Sequence, residues 1–433
     1  MDDALIRRAV ELASADPEFA LHAAGWTGTI YLGTPDRTWR VRVGPAGLSG
    51  PDEVDSGPAL GEGDLAAVAS ASLWRQLLQP VPPAPCTNVF GASLAGLDLR
   101  MGGMDGRRYL AVSRFCELLR HAANGTDPAP QVVPSAAVHG QLDQAVGRYV
   151  HLLIDGVDYR VYYEEAGTGI GLLCQHTAGA DARQWRHLLE DERITSRFRV
   201  IAYDLPFHGK SVPPAGRAWW TEPYRLTTSF ALAVVRALSG TLSLDRPTFV
   251  GSSLGGMLAL DLARFHPDEF RAVIACEAAL KFDVDEWIAS LPPSASSVLS
   301  LGFHPDVALH AATQTPFMGA TAPVAYRKET WWHYAQGGPG VFPGDIYYYA
   351  TDHDLRGSAD QVDTSRCSVH FLVGEYDYPS LVISRASADQ IAGATHAVMK
   401  GLGHFPMSED PDRFSSYLLP ILDGITARTG DGR

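Results

Sequence analysis

The sequence predicts an α/β protein in two parts: a mostly parallel sheet with helices on both faces, preceded by a smaller α+β domain. Three observations predict it. Beyond residue 169, short apolar runs (IGLLCQ, RVIAYD, TFVGS, AVIACE, VHFLVG, AVMKG) alternate with stretches of helical periodicity such as LTTSFALAVVRALSG. That alternation calls for parallel strands joined by crossover helices. A Pro-rich break from Asn124 to Ser135, NGTDPAPQVVPS, separates this region from an N-terminal third with its own pattern. The length, 433 residues, exceeds what one core usually supports. The expected domains are therefore 1–123, a linker over 124–135, and 136–433.

The N-terminal third begins with an amphipathic helix, MDDALIRRAVELASADPEF, and continues with a strand pair, GTIYLGT and TWRVRVG. A helix around Trp74 (ASASLWRQLLQ) precedes the Pro-rich VPPAPC, and YLAVSRFCELLRHA closes the domain as a further amphipathic helix. After the linker, YVHLLIDGVDYRVYYEE alternates apolar and polar residues on both sides of Asp155-Gly156, the pattern of a β-hairpin with a tight turn. The strand series then runs to Ala279, pauses, and resumes after about Leu355. The interruption, 279–355, is rich in Pro, Gly and aromatic residues (LPPSASS, TPFMGATAP, ETWWHYAQGGPGVF, DIYYYATDHD). It is expected to form a cap over the carboxyl ends of the strands, where ligands bind in open α/β sheets. Its Trp331, Trp332, Tyr334, Tyr347, Tyr348 and Tyr349 suit an apolar or aromatic substrate, with Trp331, Trp332 and Tyr348 as the expected contacts.

Composition excludes several function classes. A formal charge of −14 argues against neutralising nucleic-acid phosphates and against a polybasic membrane anchor. The N-terminus lacks the basic flank and apolar run of a signal peptide, and no apolar stretch is long enough to span a bilayer. Five cysteines without C-x-x-C spacing suggest free thiols and a reducing cytoplasm. No phosphate-binding glycine loop implies a nucleotide, so no cofactor is expected. No metal is expected either: Asp352-His353-Asp354 lacks spaced His or Cys partners and reads as a charged turn.

The chemistry is carried by Gly251-Ser252-Ser253-Leu254-Gly255-Gly256, between the strand TFV and a helix bearing Met257, Leu258, Leu262 and Phe265 on one side. A serine exposed on a sharp strand-to-helix turn needs glycine neighbours, and at the helix N-terminus its surroundings favour a developing oxyanion. Its hydroxyl needs a base, and the base an orienting acid. VHFLVGEYDY places Asp377 just past a strand, and AVMKGLGHFPMSEDP places His404 past the next, on a glycine-flanked loop. Ser253, His404 and Asp377 are the candidate nucleophile, base and acid.

From about Tyr149 onward these motifs resemble the α/β-hydrolase family. By that resemblance CQHTAGADARQW corresponds to the segment after the third strand, with His176 as the motif histidine and Thr177 in the place of the usual glycine. Both would lie at the substrate site. The resemblance implies an oxyanion hole from the N–H groups of Ala178 and Leu254, with Thr177 or Gly179 as alternatives to Ala178. YDLPFHGKS matches the family's D-x-x-G-x-G-x-S turn, which is structural. Glu277, after the strand that follows the elbow, is an alternative acid, since some members carry it there. The function so implied is a cofactor-independent serine hydrolase of a carboxylic ester or lactone. A carbon–carbon hydrolase of ring-cleavage products uses the same triad and is the alternative, although HTAGAD replaces that group's H-G-G-G-P-G segment. A receptor that captures a ligand in the same pocket is the non-enzyme alternative. The N-terminal third resembles the sterol-carrier type of lipid-binding domain; a packing or dimerisation module is the other reading. The expected partners are a small hydrophobic substrate and, for a dimerisation module, a second copy of the chain.

Overall fold

The computed structural model describes residues 1–55, 59–102, 106–134, 139–292, 295, 307–378 and 380–430. The chain divides into two units, 1–132 with 285–321, and 133–284 with 322–433. The boundary falls inside the expected linker, whose last residue lies outside the described ones, as does most of LPPSASS.

In the first unit, strands β1 (Gly28–Thr34), β2 (Arg37–Gly44), β3 (Gly47–Val54), β4 (Leu65–Val68) and β5 (Asp98–Met101) form one sheet in the order β3-β2-β1-β4-β5. Only β1 and β4 run parallel. The helix Asp3–Ala15 starts where the Asp2 side chain accepts the Leu5 N–H at 2.9 Å, and it buries Ile6, Ala9 and Ala13 on one face. The long helix Gly106–Asn124 packs beside it, and Arg114 pairs with the buried Asp16 at 2.6 Å. Trp74, on the helix expected around it, is buried and donates its indole N–H to the Gly33 carbonyl at 2.7 Å. That bond satisfies the polar edge of the ring inside the core.

The second unit holds β6 (Val146–Ile154), β7 (Val157–Ala166), β8 (Ile170–Gln175), β9 (Phe198–Tyr203), β10 (Thr248–Ser252), β11 (Ala272–Cys276), β12 (Ser368–Gly374) and β13 (Thr395–Met399). Their order is β13-β12-β11-β10-β8-β9-β7-β6. All pairs from β9 to β13 are parallel, and β6 and β7 add an antiparallel edge. Asp155 and Gly156 both have positive φ, 50° and 77°, as a two-residue hairpin turn matched to strand twist requires. β10 and β11 are buried at every position, which explains why they read as continuous apolar runs.

The segment expected as one cap is divided. Within the first unit, the helix Val307–Gln314 packs on Gly106–Asn124, Ala312 joins the core, and Thr87 donates to the Pro316 carbonyl at 3.0 Å. Residues 322–355 belong with the sheet that carries Ser253. The physical reason is that Ala311 and Ala312 present small apolar faces that the first unit's core accepts, whereas the aromatic segments beyond residue 322 pack within the second unit. All five cysteines are buried free thiols. Among the described residues, no helix is long and apolar enough to cross a membrane.

Candidate active site

Ser253 follows β10 directly and opens the helix Leu254–Phe265. Its φ of 57° and ψ of −114° lie where non-glycine residues rarely go, and its N–H holds the turn by donating to the Cys276 carbonyl of β11 at 2.9 Å. The two glycines of the motif are required by close approach. A Cβ on Gly251 would run into the Gly255 carbonyl, and one on Gly255 would lie 2.7 Å from the Gln175 carbonyl oxygen at the end of β8. Ser252, beside Ser253, donates from Oγ to the His404 carbonyl at 3.1 Å and so ties the histidine loop to the elbow.

Asp377 and His404 come from the turns after β12 and β13. His404 Nδ1 lies 2.9 Å from Asp377 Oδ2, and Asp377 is fully buried. The aspartate turn is fixed by Asp377 N–H donating to the Gly374 carbonyl at 3.1 Å and Tyr376 N–H to the Leu402 carbonyl at 2.9 Å. The buried Glu409 carboxylate takes the Gly403 N–H beside the histidine. Glu277 is the neighbour of Asp377. It sits at φ 53° after β11 and accepts the Gly374 N–H at 2.9 and 3.1 Å. Burial, and then the charge of Asp377, push its carboxyl well above the usual range. Burial also acts to raise Asp377, but His404 and hydrogen bonds from Glu277 and Ser380 outweigh it and hold Asp377 below the usual range. Asp377 Oδ2 is taken by His404, while its Oδ1 has no well-formed hydrogen bond. The contact between the two carboxyls raises Glu277 and lowers Asp377, so a proton on the pair favours Glu277. Among the described residues, Glu277, Asp377 and His404 are also the group whose potential metal-ligand atoms lie within 4.8 Å of one another.

The loop after β8 is locked from below. His176 is fully buried; its Nδ1 meets the Thr177 carbonyl at 2.8 Å and its Nε2 accepts the Leu205 N–H at 3.2 Å. Burial, followed by the neighbouring His208, lowers its pKa to about 4, so it is a neutral structural ring. This corrects its expected place as a substrate contact, and Thr177 is corrected with it. Thr177 is 1% exposed, its N–H goes to Gln184 Oε1 at 3.0 Å, and its hydroxyl bonds Gln184 and Tyr334. Gly179 N–H donates to Asp345 Oδ2 at 2.7 Å, the same oxygen that faces His208 Nε2 at 2.8 Å. With Thr177 and Gly179 both occupied, the N–H of Ala178 is left without a protein acceptor among the described residues. Leu254 N–H, at the first position of its helix, has no intrahelical partner either. Of the three donors the sequence left open, only Ala178 is available. Asp345, Gln184 and His208 were not read from sequence. Nothing in their local pattern marks them, because they act across 166, 7 and 137 positions of chain respectively.

The aromatic residues of the cap also sort differently from expectation. The helix Val324–Tyr334 faces inward with Thr330, His333 and Tyr334, and Thr330 meets Ser408 at 2.8 Å. Trp332 is 57% exposed on the other side, so it is not a buried contact. Trp331 is half-buried, and its indole N–H lacks a hydrogen bond among the described residues. Tyr348 is completely buried and donates to Asp261 Oδ2 at 2.5 Å, pointing away from the elbow. Its neighbour Tyr349 is buried and packs its ring against Phe282 at 5.2 Å. His353, read as part of a charged turn, is buried against Asp261 at 3.0 Å. The YDLPFHGKS turn is structural as expected: Asp204 accepts the Ala182 and Lys210 N–H groups at 2.8 and 2.7 Å.

Residues 172–399 match the family model of the alpha/beta hydrolase fold. A curated relative from Burkholderia vietnamiensis, named 2-hydroxy-6-oxononadienedioate/2-hydroxy-6-oxononatrienedioate hydrolase, is 32% identical over 132 residues, 29% of this chain and 42% of the relative. The chain thus spans less than half the length of the curated relatives it first matches. A malate-bound esterase from Thermogutta terrifontis superposes with a TM-score of 0.53 at 20% identity, covering 64% of this chain and 99% of that one. An enol-lactonase from Burkholderia xenovorans LB400 gives 0.51 at 21% identity over 63% and 100%. At such identities these structures share the fold.

Proposed function

We propose that this chain, which belongs to the α/β-hydrolase family, is a hydrolase that cleaves a carboxylic ester or lactone through an acyl-enzyme on Ser253. One observation carries the reading: a strained, glycine-flanked serine after β10, a histidine–aspartate pair from the turns after β12 and β13, and two backbone N–H groups without a protein acceptor among the described residues all sit at the carboxyl ends of the parallel strands. In this scheme Ser253 Oγ attacks the carbonyl carbon while His404 takes its proton. Asp377 stabilises the resulting imidazolium, and the N–H groups of Ala178 and Leu254 hold the oxyanion. Collapse expels the alkoxide, which takes the proton from His404. Water then repeats the sequence to free the acid.

An apolar or aromatic acyl group is supported by Phe342, whose ring lies against Gly179 in the loop after β8. The relative named as a carbon–carbon hydrolase supports the ring-cleavage alternative for the same triad. For the N-terminal unit we propose binding of a small apolar ligand, supported by a cleft of about 510 Å³ lined by Phe19, Trp26, Val43 and Leu48. The buried free thiols favour a reducing, cytoplasmic setting.

The test is labelling by a fluorophosphonate, with the modified peptide mapped by mass spectrometry. Labelling is expected at Ser253 and absent in Ser253→Ala, which keeps its fold and loses turnover. Label on Ser252, or label that persists in the variant, overturns the assignment. Esters of graded acyl length, a lactone and a ring-cleavage dienoate then separate the substrate classes.

A further inference from the structure

The loop after β8 closes as a four-residue turn: Ala180 N–H donates to the Thr177 carbonyl at 3.3 Å, and Gly179, the third residue, has a φ of 70°. With positive φ at Gly179 and not at Ala178, the turn is of type II and Ala178 is its second residue. The residues on either side of Ala178 are tied down from two directions. From the loop's own neighbourhood, Gln184 accepts the Thr177 N–H at 3.0 Å and His176 Nδ1 meets the Thr177 carbonyl at 2.8 Å. From the cap, Tyr334, the last residue of the helix Val324–Tyr334, bonds the Thr177 hydroxyl through its own. Asp345, on the cap helix Val341–Ile346, accepts the Gly179 N–H at 2.7 Å. Two cap residues, 157 and 166 positions away from their partners, thus flank Ala178. Both anchors are themselves held. The Tyr334 ring meets Phe405 edge-on at 5.5 Å, and Phe405 lies 5.0 Å from the His404 ring. Asp345 Oδ2 also faces His208 Nε2 at 2.8 Å, and the His208 ring lies 4.7 Å from that of His176. On the same helix as Asp345, Phe342 packs so closely on Gly179 that a Cβ there would lie 2.9 Å from its ring.

We propose that Tyr334 and Asp345 are positioning residues for the reaction: by holding Thr177 and Gly179 they fix the direction of the Ala178 N–H, so that the cap completes the oxyanion hole. The inference rests on the reading above, in which that N–H takes the oxyanion. An N–H points where its peptide plane points, and the plane between Thr177 and Ala178 turns when either end of the four-residue turn is released. A fixed donor gains strength only as charge builds on the carbonyl oxygen. A donor free to swing must be re-aimed at that moment, which raises the barrier and leaves binding of the uncharged substrate as it was. Neither Tyr334 nor Asp345 touches the substrate or moves a proton in this role.

The experiment compares Tyr334→Phe, Asp345→Ala, Asp345→Asn and Ala178→Pro in the full chain, with p-nitrophenyl acetate as substrate. 2,2,2-Trifluoroacetophenone serves as a reversible inhibitor: Ser253 Oγ adds to its ketone carbon, the serine proton passes to His404, and the ketone oxygen becomes the oxyanion. Tyr334→Phe and Asp345→Ala are expected to lower kcat about 10- to 100-fold, short of the loss of a whole oxyanion donor, with KM nearly unchanged. Asp345→Asn, whose amide oxygen can still accept the Gly179 N–H, loses less. The inhibition constant of the ketone rises by the factor through which kcat/KM falls, a proportion that a merely structural role does not produce. Unchanged kcat in the folded variants, a loss confined to KM, or wild-type affinity for the ketone overturns the inference. Ala178→Pro deletes the N–H at a turn position that suits proline, and should cost about 10²- to 10³-fold in kcat; wild-type kcat there, with Ser253 still labelled by a fluorophosphonate, would instead remove the premise and leave the nucleophile in place. If Asp345→Ala melts below the assay temperature, Tyr334→Phe, which loses one oxygen and keeps its ring, decides: matched losses of kcat and ketone affinity support the role, and unchanged values refute it.

Discussion

Replacing Glu277 by Gln tests the shared proton beneath the candidate triad. Glutamine has the volume of a protonated glutamate. Its side-chain oxygen can accept the Gly374 N–H, which now lies 2.9 and 3.1 Å from the two carboxylate oxygens, and its amide can donate to Asp377 Oδ1. The folded-state pKa of Glu277 is raised by burial and by Asp377. The unfolded chain therefore loses this proton first as pH rises. Stability associated with Glu277 is full below the ordinary carboxylate pKa of about 4.3 and declines through the folded pKa, by up to about 1.4 kcal/mol per pH unit. Glu277→Gln removes that decline, so its stability relative to wild type should grow from pH 5 to pH 8. Urea unfolding of both proteins at pH 5, 6, 7 and 8 measures it. Activity should fall only a few-fold, whereas Asp377→Asn, which holds the imidazole in the wrong tautomer, should cost about 10⁴ in kcat. A stability difference independent of pH would refute the shared proton. A larger loss of kcat in Glu277→Gln than in Asp377→Asn would make Glu277 the acid.

Two further outcomes follow from the loop after β8 and from the cap. Asp345→Asn removes the partner of the buried His208 and the charge facing Gly179 N–H, and should destabilise by about 3–5 kcal/mol near pH 6. Burial lowers the His208 pKa, but Asp345 outweighs it and raises it. The pair's contribution is thus full below the ordinary histidine pKa and shrinks as pH rises through the folded one, which thermal melts at pH 6 and pH 9 would show as a smaller gap at pH 9. Trp332→Ala, at a 57% exposed site, should change stability by less than about 0.5 kcal/mol and leave KM for large esters unaltered; a raised KM for a bulky ester beside an unchanged one for acetate would restore Trp332 to the pocket.

The sequence by itself determined the elements whose signal is local. The six apolar runs became β8 to β13, of which β10 and β11 are buried at every position and so leave no polar alternation. Asp155-Gly156 became a hairpin turn because its two positive φ values suit that pair. The elbow was legible for the same reason: Gly251 and Gly255 are the residues that the tight approach of β10, its helix and β8 demands. Strand-end position was also enough to pick Asp377 and His404 from the chain's acids and histidines. What only the tertiary structure decided is how side chains from distant segments share acceptors. Gln184 takes Thr177 N–H and Asp345 takes Gly179 N–H, which leaves Ala178 as the free donor. Glu277 became a neighbour of Asp377 through the pairing of β11 with β12. Tyr348 went to Asp261, 87 residues away in sequence, a partner its local pattern could not reveal. Periodicity reports which face of an element is apolar, and it carries no record of which distant polar group will claim a given N–H or hydroxyl.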